Sequence, residues 1–213
     1  MSTDVEYLAT RLGNSLSGAA TGLSWLWPAL LRLLARGEPV TIEQLTEATG
    51  KPAEEVRAGL AALADTEYDE VGRVVGHGIT LRPTPHSFEV DGRQLYTWCA
   101  LDTLIFPAVL DRPTRVSSPC HSTGTLVRVE VDPHEVVGVE PAAAVVSIVT
   151  SDGCTSVRSA FCNQVHYFAA PAAAATWVHE HPDATVLPVR EAFDLGHRLT
   201  QTLLTGPDHP PCC

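Results

Sequence analysis

The chain of 213 residues contains no Cys-x-x-Cys pair, although it carries six cysteines: Cys99, Cys120, Cys154, Cys162, Cys212 and Cys213. The usual zinc-ribbon spacing is therefore missing. Positive charge is scarce, with 14 Lys+Arg against 25 Asp+Glu and a net charge of −11. Residues 1–82 hold seven basic and eleven acidic side chains, and residues 83–213 hold seven and fourteen. With no basic stripe anywhere, nucleic acid is not an expected partner. Long apolar runs are also lacking. The run from Leu16 to Leu34 is cut by Gly18, Gly22, Pro28 and Arg32, and Asp4 and Glu6 precede it. Neither an export signal nor a membrane span is expected. That points to the cytoplasm, where thiols stay reduced and free cysteines are the default. There are no repeats and no heptads.

What is present is an ample core, with 45% hydrophobic residues. The length fits one large domain, or a small helical domain fused to a larger mixed one. Leu23, Leu26, Leu30, Leu33 and Leu34 recur at helical spacing, and Gly37 with Pro39 ends that helix. Thr41-Ile42-Glu43-Gln44 is a capping-box pattern opening a helix through Ala48, with Gly50 as its stop. Pro52 opens a third, with Val56, Leu60 and Leu63 on its inner face. A hairpin follows, from Glu67 to Asp69, a turn near Gly72, and Arg73 to Leu81.

Three helices and a hairpin outline a winged helix-turn-helix, which makes a DNA-binding regulator the rival expectation. However, the would-be reading helix, Lys51 to Asp65, has two basic and three acidic residues. Such a helix repels the phosphate-lined groove, so the unit reads as a shape used for packing. Beyond it, a strand from Ser87 to Val90 and the Asp91-Gly92 turn lead into a central apolar stretch that Pro107 closes. A β meander is expected over Thr114–Ser118, Thr125–Val131, Glu135–Val139 and Ala143–Thr150. Ser151–Cys154 reads as a turn, and Val157–Phe168 as a helical turn running into a strand. Two helices close the chain, Pro171–His181 and Pro188–Leu204.

Chemistry concentrates in the central stretch, Leu95-Tyr96-Thr97-Trp98-Cys99-Ala100-Leu101-Asp102-Thr103-Leu104-Ile105-Phe106-Pro107. On a helix, Cys99 and Asp102 would share a face. A carboxyl group among apolar side chains holds its proton and becomes a candidate donor. A thiol near a helix start is expected to ionise more easily. A buried structural Cys beside an Asp paired with a distant Arg is the alternative these residues leave open. Elsewhere, Cys162 and His166 could form half of a zinc site, but no second pair matches them. Cys120 reads as a buried structural thiol, Cys154 as incidental, and Trp98 as a core residue or a wall of the site. Cys212 and Cys213 end a proline-containing tail, expected to be disordered, that could relay a captured metal.

The central stretch and Ser159-Ala160-Phe161-Cys162-Asn163-Gln164-Val165-His166-Tyr167-Phe168 resemble the two active-site segments of the organomercurial (alkylmercury) lyase family. Thr66-Glu67-Tyr68-Asp69, Gly78-Ile79-Thr80-Leu81-Arg82, Arg115-Val116-Ser117-Ser118 with Cys120, and Val189-Arg190-Glu191-Ala192-Phe193 extend the resemblance from about Leu26 to Leu204. It implies an α+β fold: a winged-helix-like unit over residues 1–82, then a mixed α/β lyase domain over 83–205 with a mainly antiparallel sheet. Residues 206–213 remain as a Cys-ending tail.

The implied activity is protonolysis of a carbon–mercury bond in mercury detoxification, with Cys99, Asp102 and Cys162 matching the family's catalytic residues. Mercury is soft and prefers thiolate. A second thiolate makes the bonded carbon basic enough to take a proton, and Asp102 would deliver it in a dry pocket. Hg(II) would finish between Cys99 and Cys162, beside Asp102. No cofactor is implied. External thiols would sustain turnover, and a thiol carrier or a mercuric reductase would accept the metal. The organomercurial is the expected partner, with neither nucleic acid nor membrane. A winged-helix, thiol-based metal sensor without catalysis is the competing reading.

Overall fold

The computed structural model describes residues 5–6, 8–12, 23–150 and 157–205. The expected turn at Ser151–Cys154, the tail, and the thiols Cys154, Cys212 and Cys213 lie outside these residues. Three short helices open the main body: α1 (Trp27–Leu34), α2 (Ile42–Thr49) and α3 (Ala53–Ala62). The capping box at α2 is complete. Gln44 N–H donates to Thr41 Oγ1 at 3.3 Å, and Thr41 N–H donates to Gln44 Oε1 at 2.8 Å. Gly50 ends α2 with φ of +68°, the left-handed cap that glycine adopts without strain. Residues 23–26, expected inside the first helix, instead form turns ahead of it. Pro28 is favoured in a first helical turn, and so fixes the start.

Strands β1 (Glu67–Tyr68), β2 (Val74–His77), β3 (Ile79–Thr80), β4 (His86–Val90), β5 (Arg93–Thr97), β6 (Thr114–Pro119), β7 (Leu126–Val131) and β8 (Val136–Glu140) form one antiparallel sheet. Their order is β1-β2-β3-β5-β4-β6-β7-β8. The expected single strand from Arg73 to Leu81 is broken at Gly78, whose φ is +78° and whose Cα packs against the Phe106 ring. A Cβ there would lie 2.5 Å from Phe106 Cζ, so only glycine fits.

Two boundaries in the centre differ from expectation. Leu95–Thr97 belongs to strand β5, and helix α4 spans Asp102–Leu110 with Pro107 inside it instead of beyond it. Apolar runs of this length do not distinguish buried strand from buried helix. Beyond Asp102 and Thr103 helix α4 is wholly apolar, and seven of its nine residues are buried. Trp27 and Phe88 meet Phe106 edge-on at 6.2 and 6.5 Å. The last helix, α7 (Val189–Thr205), presses Gly196 against Ile105.

The fourth strand of the expected meander leaves the sheet. Strand β9 (Val145–Ile148) is instead the centre of a second antiparallel sheet, between β10 (Tyr167–Phe168) and β11 (Thr185–Pro188). The burial pattern shows why. In β7 buried and exposed residues alternate, as in a strand with one wet face, whereas all four residues of β9 are buried. Pro188, expected to open the last helix, instead ends strand β11. Helices α5 (Val157–Ala160) and α6 (Pro171–Glu180), with a 3-10 turn at Cys162–Gln164, complete the chain.

Candidate active site

Strand β5 delivers the chain to a tight turn, residues 98–101, whose backbone is pinned almost atom by atom. Trp98 N–H donates to Gly78 O at 2.9 Å, and Ala100 N–H donates to Val165 O at 3.2 Å. The Cys99 carbonyl accepts from Thr97 Oγ1 at 2.9 Å, and the Cys99 N–H donates to Asp102 Oδ2 at 3.2 Å. Because the Ala100–Val165 bond joins the two segments singled out by sequence, Cys162 comes over Cys99. The ligand atoms of Cys99, Asp102 and Cys162 all lie within 4.8 Å of one another. Among the described residues this is the one cluster of three such groups.

Both thiols are free, and both are buried. Burial pushes Asp102 up to about 7, against hydrogen bonds from the Cys99 thiol and the Cys99 and Trp98 backbone that pull the other way. Burial also drives Cys99 well above the usual thiol range, reinforced by its hydrogen bond to Cys162 and by the Asp102 charge. The expectation of an easily ionised Cys99 is therefore corrected. The turn places it before the helix in a dry setting, where desolvation outweighs the dipole. A hydrogen bond from Cys99 lowers Cys162, but burial and the charges of Asp102 and Asp65 leave it raised, against relief from Arg158. At neutral pH the resting site thus holds protons on both sulfurs, while Asp102 lies near its midpoint and can take or give one.

Supporting contacts surround it. Thr103 Oγ1 donates to Ala100 O at 2.7 Å and meets the buried Tyr167 hydroxyl at 2.6 Å. Trp98 is buried and directs its indole N–H to Glu67 Oε1 at 3.2 Å. Glu67 also pairs with Arg158. Glu67 and Arg158 carried no role in the sequence reading. The available signal was weak: for Glu67 its place in Thr66-Glu67-Tyr68-Asp69, one segment of the resemblance, and for Arg158 only an Arg one helical turn before a cysteine.

His166 does not sit with Cys162 as half of a zinc pair. Its ring stacks on His121 at 3.9 Å, and burial with the neighbouring His121 and His181 lowers it to about 4. Cys120 is buried, as expected. Although burial raises its thiol, the Thr123 hydroxyl, the Ala169 backbone and the Ser122 hydroxyl bring it down to about 7.

No helix among the described residues is long and apolar enough to cross a membrane. The family described as "Alkylmercury lyase" matches residues 79–201, and the "Helix-turn-helix domain of alkylmercury lyase" matches residues 7–78. The chain is 60% identical to the alkylmercury lyase of Streptomyces lividans, with 100% of both chains covered. It is 55% identical to that of Staphylococcus epidermidis, over 92% of this chain and 91% of the relative. For that of Pseudomonas putida the identity is 48%, over 94% and 96%. The fold matches the crystal structure of the mercury-bound form of MerB2 with a TM-score of 0.72 and 23% identity, covering 95% of this chain and 100% of that one. With both profiles matched in order, and full-length relatives at this identity, the chain belongs to the alkylmercury lyase family.

Proposed function

We propose that this protein cleaves carbon–mercury bonds by protonolysis, with Cys99 and Cys162 as mercury-binding nucleophiles and Asp102 as the acid. The observation that carries the reading is the convergence of two buried sulfurs and one half-buried carboxyl group within 4.8 Å. Mercury arriving as R–Hg–SR′ exchanges its thiolate for one of the two cysteines, whose proton leaves on R′SH. The second cysteine then adds its sulfur to mercury and passes its proton to Asp102. Two thiolate donors make the Hg-bound carbon electron-rich, and Asp102 hands it that proton. The products are RH and Hg(II) held by both sulfurs. Atoms and charge balance with no outside acid: Asp102 begins and ends as carboxylate, and the proton given to carbon is the one the second cysteine holds at rest, which fits thiols that burial keeps protonated. Two external thiols then remove Hg(II) and reprotonate the cysteines.

In this reading the protein works in the cytoplasm in mercury detoxification, on small organomercurials and without a cofactor. A thiol carrier or a mercuric reductase takes the product. Excess thiol and phenylmercury should yield benzene, and Asp102→Asn should stop its release while mercury stays bound. Absence of benzene from the unaltered protein, or a normal rate in Asp102→Asn, rules the reading out. A metal sensor would instead bind a defined duplex. The exposed Glu54 and Glu55 on α3 oppose that.

A further inference from the structure

One buried carboxylate joins the two halves of the site. Glu67, on β1, is 7% exposed, and its oxygens take donors from three separate stretches of chain. Thr80 Oγ1 donates to Oε2 at 2.5 Å, Trp98 Nε1 donates to Oε1 at 3.2 Å, and the Arg158 guanidinium donates to Oε1. Trp98 immediately precedes Cys99, and Arg158 lies one helical turn before Cys162. Arg158 is gripped twice more. Its backbone N–H donates to Asp65 Oδ2 at 3.1 Å, and its guanidinium carbon sits 4.9 Å from the centre of the Trp98 ring.

With Glu67 buried and Arg158 half-buried, the pair is a poor device for stability, because desolvation of the carboxylate offsets most of its attraction. What it does well is fix where two segments sit relative to each other. Here the fixed segments are those bearing the two thiols. A linear sulfur–mercury–sulfur clasp tolerates little error in sulfur separation, as with any site whose ligands are held by an outer ring of contacts.

We propose that Glu67 and Arg158 are positioning residues that set the separation of the Cys99 and Cys162 sulfurs. The hairpin of the N-terminal helical unit is the anchor. This rests on the reading of the two cysteines as a mercury clasp, and it gives the helix-turn-helix unit a task other than binding nucleic acid. Glu67 lies in the stretch matched by the helix-turn-helix family, and Arg158 in that matched by the lyase family.

The test is partition of Hg(II), added as HgCl₂, between the full-length protein and dithiothreitol, alongside phenylmercury kinetics. Glu67→Gln and Arg158→Met should each weaken retention of Hg(II) by about ten- to a hundredfold and lower kcat more than they raise KM. Arg158→Lys should recover part of the loss. Because Arg158→Met strands the buried Glu67 carboxylate and can unfold the segment, Glu67→Gln/Arg158→Met is the second arm. Its urea midpoint should stay near that of the unaltered protein while its Hg(II) retention falls. Unchanged retention in the double variant, or a loss that follows its urea midpoint down, overturns the proposal. An unaltered protein that holds Hg(II) yet releases no benzene defeats the lyase reading alone, and the retention series still decides the role of Glu67 and Arg158.

Discussion

Asp102 Oδ2 accepts the backbone N–H of Cys99 at 3.2 Å, which fastens the acid and the first thiol into one turn ahead of α4. The carboxyl group therefore cannot swing out to solvent without releasing a buried N–H. That single bond holds the proposed proton donor beside sulfur.

The burial of Asp102 has a consequence for stability against pH. Its folded-state pKa, about 7, lies above the ordinary value near 3.8. Between those values the native state holds a proton that the unfolded chain has lost, so stability falls as pH rises through this window. Asp102→Asn removes the penalty. The variant should be more stable than the unaltered protein at pH 8, by on the order of 2 kcal/mol, with the gap closing toward pH 4. Urea midpoints at the two pH values measure it, and a pH-independent gap would contradict the assignment.

Cys99→Ser and Cys162→Ser each replace one soft donor by a hard one at nearly constant volume. Turnover of phenylmercury should fall on the order of a thousandfold or more in either, since residues acting as a unit fail together. Gas chromatography of released benzene reads this directly. Full activity in one variant would remove the paired-thiolate scheme.

The Thr103–Tyr167 contact predicts an asymmetry. Tyr167→Phe leaves Thr103 Oγ1 still bonded to Ala100 O, and should cost about 1 kcal/mol. Thr103→Val leaves the buried Tyr167 hydroxyl without that partner, and should cost about 2–3 kcal/mol. Denaturant melts of the two variants give the order.

Gly196 is where α7 meets the helix that carries Asp102. A Cβ there would approach Ile105 Cγ1 to 2.8 Å. Gly196→Ala should destabilise by about 1–3 kcal/mol through overpacking, and should also lower kcat as α4 shifts. Loss of stability with kcat intact would show that α4 absorbs the strain without moving its first residue.

Signals complete within a few residues were legible before any fold was known. The Thr41 capping box, the Gly50 stop and the Asp91-Gly92 turn each appear where local chemistry put them, because caps and turns are settled by neighbours in the chain. The central apolar stretch was harder to divide. Its strand-to-helix change at residues 98–101 depends on Gly78 and Val165, which bond its backbone from distant segments. The departure of β9 into a second sheet was likewise illegible, since burial on both faces is decided by what covers them.

Sequence alone determined which groups are available: two thiols and an acid in apolar surroundings, an excess of acidic over basic residues, and the family resemblance. Tertiary structure alone decided that those groups meet, that Cys99 is harder rather than easier to ionise, and that Glu67 ties their segments together. Desolvation and separation depend on atoms brought together from distant segments of the chain, and spacing along a sequence carries neither.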